Sequence, residues 1–256
     1  MAAPSAAALM YYFKDTWKKL AALCLTGAMC LSILFTFTRG AWVGLIVAIV
    51  IFAMYMDRRL LGLMGAAMAS VLVAVPSITA RLTYLFTYDY KIASAIGGRA
   101  LRWSVGWDLL HERSPWLGFG LGRFGGAVAM NNKLLDESDE FKYFYMDNYY
   151  LKTLVETGYI GLTFYLIALV AFVIMSLRAI YSCGGMSAPE RSLDPLRRYE
   201  ATDKPIAVGF FAGMSGVLAH CYFENIFEEP YMMAYFWGLA ALLYCLGRLN
   251  STEKEI

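Results

Sequence analysis

Long stretches without a charged residue alternate with short polar segments along this chain, and the pattern predicts membrane-spanning helices. A helix needs roughly 20 apolar residues to cross the hydrocarbon core of a bilayer. Five stretches approach that length and a sixth is shorter; in chain order they are 20–37, 41–56, 60–80, 157–177, 205–223 and 230–247. We therefore predict an all-α polytopic membrane protein with about six transmembrane helices.

Composition supports this fold class. Of the 256 residues, 59% are hydrophobic and 16% are charged, whereas soluble domains have about 45–50% and 25%. The net charge is +2, and no basic stripe with interleaved aromatic residues is visible, so nucleic-acid binding is not expected. The five cysteines follow no metal-ligand spacing, and we predict neither a metal site nor a cofactor.

Lysine and arginine predict the orientation, because they are enriched in short cytoplasmic segments. With the N-terminus inside, the short inner segments hold twelve basic residues and the short outer turns hold only Arg39. Both termini are then cytoplasmic. The chain divides into a tail with three helices (1–80), an extracytoplasmic loop (81–148), and three further helices (149–256) with a cytoplasmic loop at 178–204.

The outer loop contains a predicted amphipathic helix at 98–113. Arg99, Arg102, Trp103, Gly106, Leu110 and Arg113 share one of its faces at about 100° per residue. Such a face suits the headgroup layer of a membrane; a solvated helix is the alternative. A Gly-x-Gly-x-Gly run follows at 118–122, where glycine permits close backbone approach or a flexible flap.

Several polar residues lie where predicted spans meet the outer surface, and charges at such positions often have a function. Arg39 lies between two apolar helices, where it either binds an anion or anchors the helix in the interface. Asp147 and Asn148 place a carboxylate and an amide before the fourth span, where Asp147 also suits a helix N-cap. His220 and Glu224 are four residues apart at the outer end of the fifth span, as a candidate binding pair or a structural one. Lys152 and Glu156 are expected to pair on one helix face.

Three blocks of this sequence resemble the O-antigen ligase and polymerase family of bacterial polysaccharide assembly. They are Thr-Arg-Gly-Ala-Trp-Val-Gly at 38–44; Gly98-Arg99 with Trp103, leading to Ser-Pro-Trp-Leu-Gly-Phe-Gly-Leu-Gly at 114–122; and Asp-Asn-Tyr-Tyr-Leu at 147–151, leading to Glu-Thr-Gly-Tyr-Ile-Gly-Leu at 156–162. The resemblance covers about residues 36–172.

The resemblance implies a glycosyltransferase in the bacterial inner membrane. It would transfer a glycan from a polyprenyl-diphosphate carrier to the hydroxyl of an acceptor glycan or lipid, without a metal. Arg39 and Arg99 are then expected to stabilise the departing diphosphate, and Asp147 to act as a base or to orient the acceptor. Arg102, Asn148, His220 and Glu224 are expected to bind substrate.

The sequence departs from the family pattern in two respects. Ligase members commonly have a histidine where this chain has Asp147, which favours a polymerase-like or exopolysaccharide activity over ligation to lipopolysaccharide. The family usually has ten or more spans, so we expect an N-terminal half or other assembly proteins to complement this chain. A transporter or flippase of lipid-linked saccharide, or a non-catalytic fragment of a larger membrane protein, is the alternative.

Overall fold

In a computed structural model, the described residues are 1–96, 98–112, 114–124, 146–184 and 203–252. Regular structure in these ranges is helical, without a strand. The helices are α1 Ala2–Tyr12, α2 Thr16–Phe35, α3 Arg39–Tyr55, α4 Arg59–Ala74, α5 Pro76–Tyr84, α6 Tyr88–Ile96, α7 Arg99–Glu112, α8 Tyr149–Gly184, α9 Lys204–His220 and α10 Pro230–Thr252, with a 3-10 turn at Ile226–Glu228. The predicted all-α fold is confirmed.

Three of these helices are long and apolar enough to cross a membrane: α2, α8 and α10, the last over Pro230–Ser251. Helix α3 is apolar but shorter. Only Ala22 of α2 is buried within the protein, so most of that helix surface is not covered by the described part of this chain. The chain is therefore an all-α membrane protein, and the number of six spans stays a prediction.

The predicted third span differs from the structure, because two helices occupy residues 60–80. Helix α4 ends at Ala74 and α5 begins at Pro76. Proline has no N–H group for the helical ladder, and it disfavours helical geometry in the residue before it. The uncharged stretch thus contains a helix boundary that hydropathy alone does not reveal.

The chain forms two compact units, both discontinuous in sequence. The first unit comprises Met1–Gly62, Leu169–Ala219 and Tyr231–Ile256, and the second comprises Leu63–Ala168 and His220–Pro230. The predicted cytoplasmic loop at 178–204 lies outside the described residues over 185–202.

Small residues bring the helices of the first unit close together. The expected N-terminal tail forms α1 over its first part, with Ala3, Ala6 and Ala8 buried. A methyl group added to Gly216 of α9 would lie 2.5 Å from the Gly44 carbonyl oxygen of α3. Glycine and alanine let helix backbones approach closely in membranes, where van der Waals packing drives association.

The second unit is built around a cluster of buried apolar side chains: Leu110, Phe124, Met146, Leu154 and Val155. Helix α7 contributes to this cluster, and its residues Gly106 and Leu110 are buried. The predicted amphipathic helix is therefore present, but this part of the face that we assigned to the lipid headgroups packs against protein. Arg113 of that predicted face lies outside the described residues.

Replacing Gly216 with alanine is expected to destabilise the first unit. The added methyl group meets backbone that cannot move independently of α3, and overpacking of this kind costs about 1–3 kcal/mol. Gly27→Ala on α2 is the matched control, because nothing lies within 4 Å of a methyl group there. Thermal unfolding of both purified variants in detergent should show a lower midpoint for Gly216→Ala alone; equal midpoints would contradict the packing account.

Candidate functional site

Helix α8 is interrupted at Gly158, whose φ of 67° and ψ of −172° are not helical. A positive φ of this size is readily adopted only by glycine. A Cβ atom at this position would also overlap the backbone carbonyl of Trp116. Glycine is thus required at position 158 both by conformation and by space.

The interruption frees backbone amide and carbonyl groups of α8. These groups form hydrogen bonds with the Gly-rich segment 115–120. Two carbonyls of α8 accept hydrogen bonds from amides of this segment, and two amides of α8 donate to its carbonyls. The four bonds are Phe119 N to Val155 O (2.8 Å), Gly120 N to Glu156 O (3.0 Å), Tyr159 N to Pro115 O (2.9 Å) and Ile160 N to Trp116 O (3.3 Å). A broken membrane helix must satisfy its freed polar groups in this way.

The close backbone approach predicted for the glycine run is found at Gly118. Its φ is 76°, and an added Cβ would lie 2.5 Å from both the Glu156 carbonyl carbon and the Gly158 nitrogen. The second and third sequence blocks of the family resemblance are therefore in direct contact. We call this contact between 115–120 and 155–160 the backbone exchange.

Asp147 lies just before α8, and three side chains of α7 surround its buried carboxylate. Arg99 Nε donates to Oδ2 at 2.7 Å, and Trp103 Nε1 donates to Oδ1 at 3.2 Å. The Arg102 guanidinium lies 3.8 Å from Oδ2. The structure thus brings together Arg99, Arg102 and Asp147, which the sequence predicted as site residues; with Trp103 we call them the Asp147 cluster.

The segment after α9 holds the other side of Arg99. Its Nη2 atom donates to the Phe223 carbonyl oxygen at 2.8 Å and lies 4.0 Å from Glu224 Oε1. The guanidinium carbon is 5.6 Å from the centre of the Phe223 ring, within cation–π range. Arg99 is therefore fixed between the start of α8 and segment 220–230.

Asn148, rather than Asp147, caps helix α8. Its Oδ1 atom accepts hydrogen bonds from the backbone amides of Tyr150 (3.0 Å) and Leu151 (3.1 Å). These amides are among those that a helix N-terminus leaves unpaired. The N-cap role that was the alternative for Asp147 thus belongs to Asn148. The Asp147 carboxylate instead contacts side chains of α7.

His220 and Glu224 do not form the side-chain pair that their spacing suggested. The His220 carbonyl oxygen accepts from the Glu224 amide at 3.0 Å, but the Glu224 carboxylate is directed towards Arg99. His220 Nε2 is buried without a hydrogen-bond partner in the described part of the chain. Burial raises the pKa of Glu224 above its ordinary value, an effect that Arg99 partly offsets.

A second charged cluster joins α8 to segment 220–230 and was only partly predicted. Lys152 Nζ is 3.9 Å from Glu156 Oε1, as the spacing of four residues suggested, but it is closer to Glu228 Oε1, at 3.3 Å. Asn225 Nδ2 donates to Glu228 Oε2 at 2.5 Å, and the Phe124 amide donates to Glu156 Oε1 at 3.1 Å. Glu228 was not predicted as a site residue.

Arg39 belongs to the first unit, where it is the first residue of α3. Its predicted role therefore stays a prediction. No group of three metal-ligating side chains occurs within the described ranges, and metal independence likewise remains an expectation.

Comparison with known families decides the assignment. A family model described as O-antigen ligase matches residues 22–166, more than half of the chain. The chain belongs to the O-antigen ligase family. Its general function is thus that of the ligases and polymerases of bacterial polysaccharide assembly. A search of curated protein sequences returns no match.

The family match includes all of the Asp147 cluster and the backbone exchange. Blocks that are distant in sequence, 114–122 and 156–162, are thus joined by backbone hydrogen bonds within the matched range. His220, Glu224 and Glu228 lie beyond the matched range, although their segment contacts the cluster through Phe223.

Replacing Gly118 with alanine is expected to disrupt the backbone exchange. The methyl group would meet α8 backbone, so either the segment separates from the helix or α8 shifts. Gly65→Ala in α4 is the control, because a methyl group there meets nothing within 4 Å. We expect a lower unfolding midpoint and lost polymer synthesis for Gly118→Ala only. A Gly118→Ala protein as stable and active as the control would show that the exchange is dispensable.

The raised pKa of Glu224 predicts a pH-dependent contribution to stability. A carboxyl group with a higher pKa in the folded protein binds more protons there, so its contribution falls as pH rises from about the unfolded value, 4.5, through the folded value. Glu224→Gln lacks this titration. As pH rises through this window, its unfolding midpoint should therefore rise relative to that of the wild type. A constant difference between the two midpoints across the window would contradict the assignment.

Proposed function

We propose that this protein transfers a glycan from a polyprenyl-diphosphate carrier to a hydroxyl group of an acceptor glycan or lipid. The observation that supports it most is the convergence of Arg99 and Arg102 on Asp147. Two cations and a carboxylate at the mouth of a membrane helix suit a reaction that releases a diphosphate and removes a proton.

The arginines would hold the diphosphate. Guanidinium groups donate two parallel hydrogen bonds to phosphate oxygens, and fixed cations stabilise the charge that develops on a leaving group. Arg99 and Arg102 now face carboxylate oxygens, so a diphosphate would offer them ligands of the same kind. We propose Arg39 as a third cation, on the family resemblance of its block.

Asp147 would take the acceptor proton or orient the hydroxyl group. In the proposed step the acceptor oxygen bonds to the anomeric carbon, the bond from that carbon to the diphosphate oxygen breaks, and the hydroxyl proton passes to Asp147. Trp103 donates a hydrogen bond to Asp147 Oδ1 and so fixes the carboxylate. Because Asn148 caps α8, the Asp147 carboxylate is not used for the cap. Diphosphate binding to the arginines would replace Asp147 as their partner and free its carboxylate for the acceptor hydroxyl.

The remaining residues predicted to bind substrate differ in how accessible their polar groups are. The Glu224 side chain borders Arg99 and is 33% exposed, so an acceptor hydroxyl could reach it. His220 Nε2 is buried, so a contact with substrate would require a local opening. Asn148 uses its carbonyl oxygen for the cap, which leaves its amide group for a substrate. No step of the proposed reaction requires a metal.

The proposed location is the bacterial inner membrane with the site on the extracytoplasmic side, as the charge distribution predicts. An N-terminal half or other assembly proteins would complement this chain. Asp147 stands where ligase members commonly have a histidine. This difference favours polymerisation or exopolysaccharide assembly over ligation to lipopolysaccharide.

The proposal predicts that Arg99→Ala and Asp147→Asn abolish long polysaccharide chains in cells. Loss of a catalytic base lowers rates by about 10²–10⁴-fold, which is enough to stop polymer growth. Arg39→Ala should also shorten the chains. Polymer length on gels, at matched protein levels in the membrane, measures the effect.

Lys91→Ala is the control, since Lys91 is an exposed cation of the same unit on α6. Normal chain lengths in Arg99→Ala and Asp147→Asn would exclude the Asp147 cluster as the site. Translocation of lipid-linked saccharide without glycan transfer would support a flippase instead.

A further inference from the structure

The first unit contains a cavity of about 1380 Å³ that the proposed reaction does not use. Its walls come from the C-terminal part of α8, the start of α9, the end of α10 and Tyr55 of α3. The volume is that of a large ligand rather than of a few water molecules.

The lining changes from apolar to basic along the helix axes. Ala171, Ile174 and Met175 line one end, whereas Arg178, Lys204 and Arg248 line the other end together with apolar residues such as Ile180. From Ala171 to Gly184, α8 extends about 20 Å at 1.5 Å per residue. This length matches a lipid headgroup together with the first part of its acyl chains.

The basic end also offers hydroxyl groups and lacks carboxylates among the described lining residues. Ser251 Oγ donates to Ser182 Oγ at 3.1 Å, and both serines line the cavity. The neighbouring Asp203 is not a lining residue, and its Oδ2 accepts from Asn250 Nδ2 at 3.2 Å. Among the described lining residues, the charged side chains of this end are therefore all basic, which suits an anionic ligand.

We propose that this cavity binds an anionic glycerophospholipid, with the headgroup phosphate at Arg178, Lys204 and Arg248 and an acyl chain along the apolar wall. Basic pockets between transmembrane helices on the cytoplasmic side recognise anionic headgroups through such contacts. The charge distribution predicts that this end is cytoplasmic. It is then the membrane face opposite to loop 81–148, so the ligand is distinct from the glycan donor.

The test uses the purified full-length protein in detergent, with its unfolding midpoint measured during titration with phosphatidylglycerol or phosphatidylcholine. We expect phosphatidylglycerol to raise the midpoint, because a ligand that binds the folded state stabilises it. The double variant Lys204→Gln/Arg248→Gln should need roughly 10- to 30-fold more phosphatidylglycerol for the same rise.

Arg58→Gln/Arg59→Gln is the matched control, because these arginines lie on the same predicted membrane face but do not line the cavity. It should respond as the wild type does. An equal response to both lipids, or an equal loss in the control, would overturn the proposal. Full stabilisation by glycerol phosphate alone would overturn the acyl-chain contact and leave a site for a soluble phosphate.

Discussion

The four hydrogen bonds between residues 115–120 and 155–160 are the constraint on which the second unit depends. An interrupted helix in a membrane leaves carbonyl and amide groups that hydrocarbon cannot satisfy, and here the glycine-rich segment 115–120 satisfies them. The segment can reach α8 only because Gly118 and Gly158 have no Cβ atom. This contact anchors the loop on the helix that begins beside Asp147, and it holds Phe124 against Gly106 of α7.

Two charged clusters join the elements of this unit. In the Asp147 cluster, α7 supplies cations and an indole to a carboxylate just before α8. The buried group of Lys152, Glu156 and Glu228 joins α8 to segment 220–230. Removing one partner from such a buried group leaves an uncompensated charge, which strongly destabilises a protein. This buried group thus helps to fix the segment that holds Arg99.

Much of this arrangement was predictable from the sequence. Hydropathy identified the membrane fold, and the helical period placed Arg99, Arg102 and Trp103 on one face of α7. The glycine run suggested a close backbone approach. Spacing within a helix also predicted contact between Lys152 and Glu156, because residues four apart are neighbours on a helix surface.

The remaining features depend on contacts between distant parts of the chain, which local patterns do not encode. A helix face with arginine, tryptophan and leucine can contact either lipid headgroups or a buried aspartate. The sequence of the helix alone does not show which of the two it contacts. Asp147 and Asn148 both suit an N-cap, and the structure assigns that role to Asn148. Glu228 was not predicted, because its contact with Lys152 joins distant parts of the chain.

Binding of a short-chain polyprenyl diphosphate to the purified protein, measured beside glycan transfer from the corresponding lipid-linked donor, tests the central claim most directly. The account predicts that Arg99→Gln weakens binding of the diphosphate. Asp147→Asn should retain or improve binding, because the guanidinium groups lose their competing anion. Asp147→Asn should nevertheless fail to transfer the glycan. Unchanged binding in Arg99→Gln, or normal transfer by Asp147→Asn, would contradict the division of roles between the arginines and the aspartate.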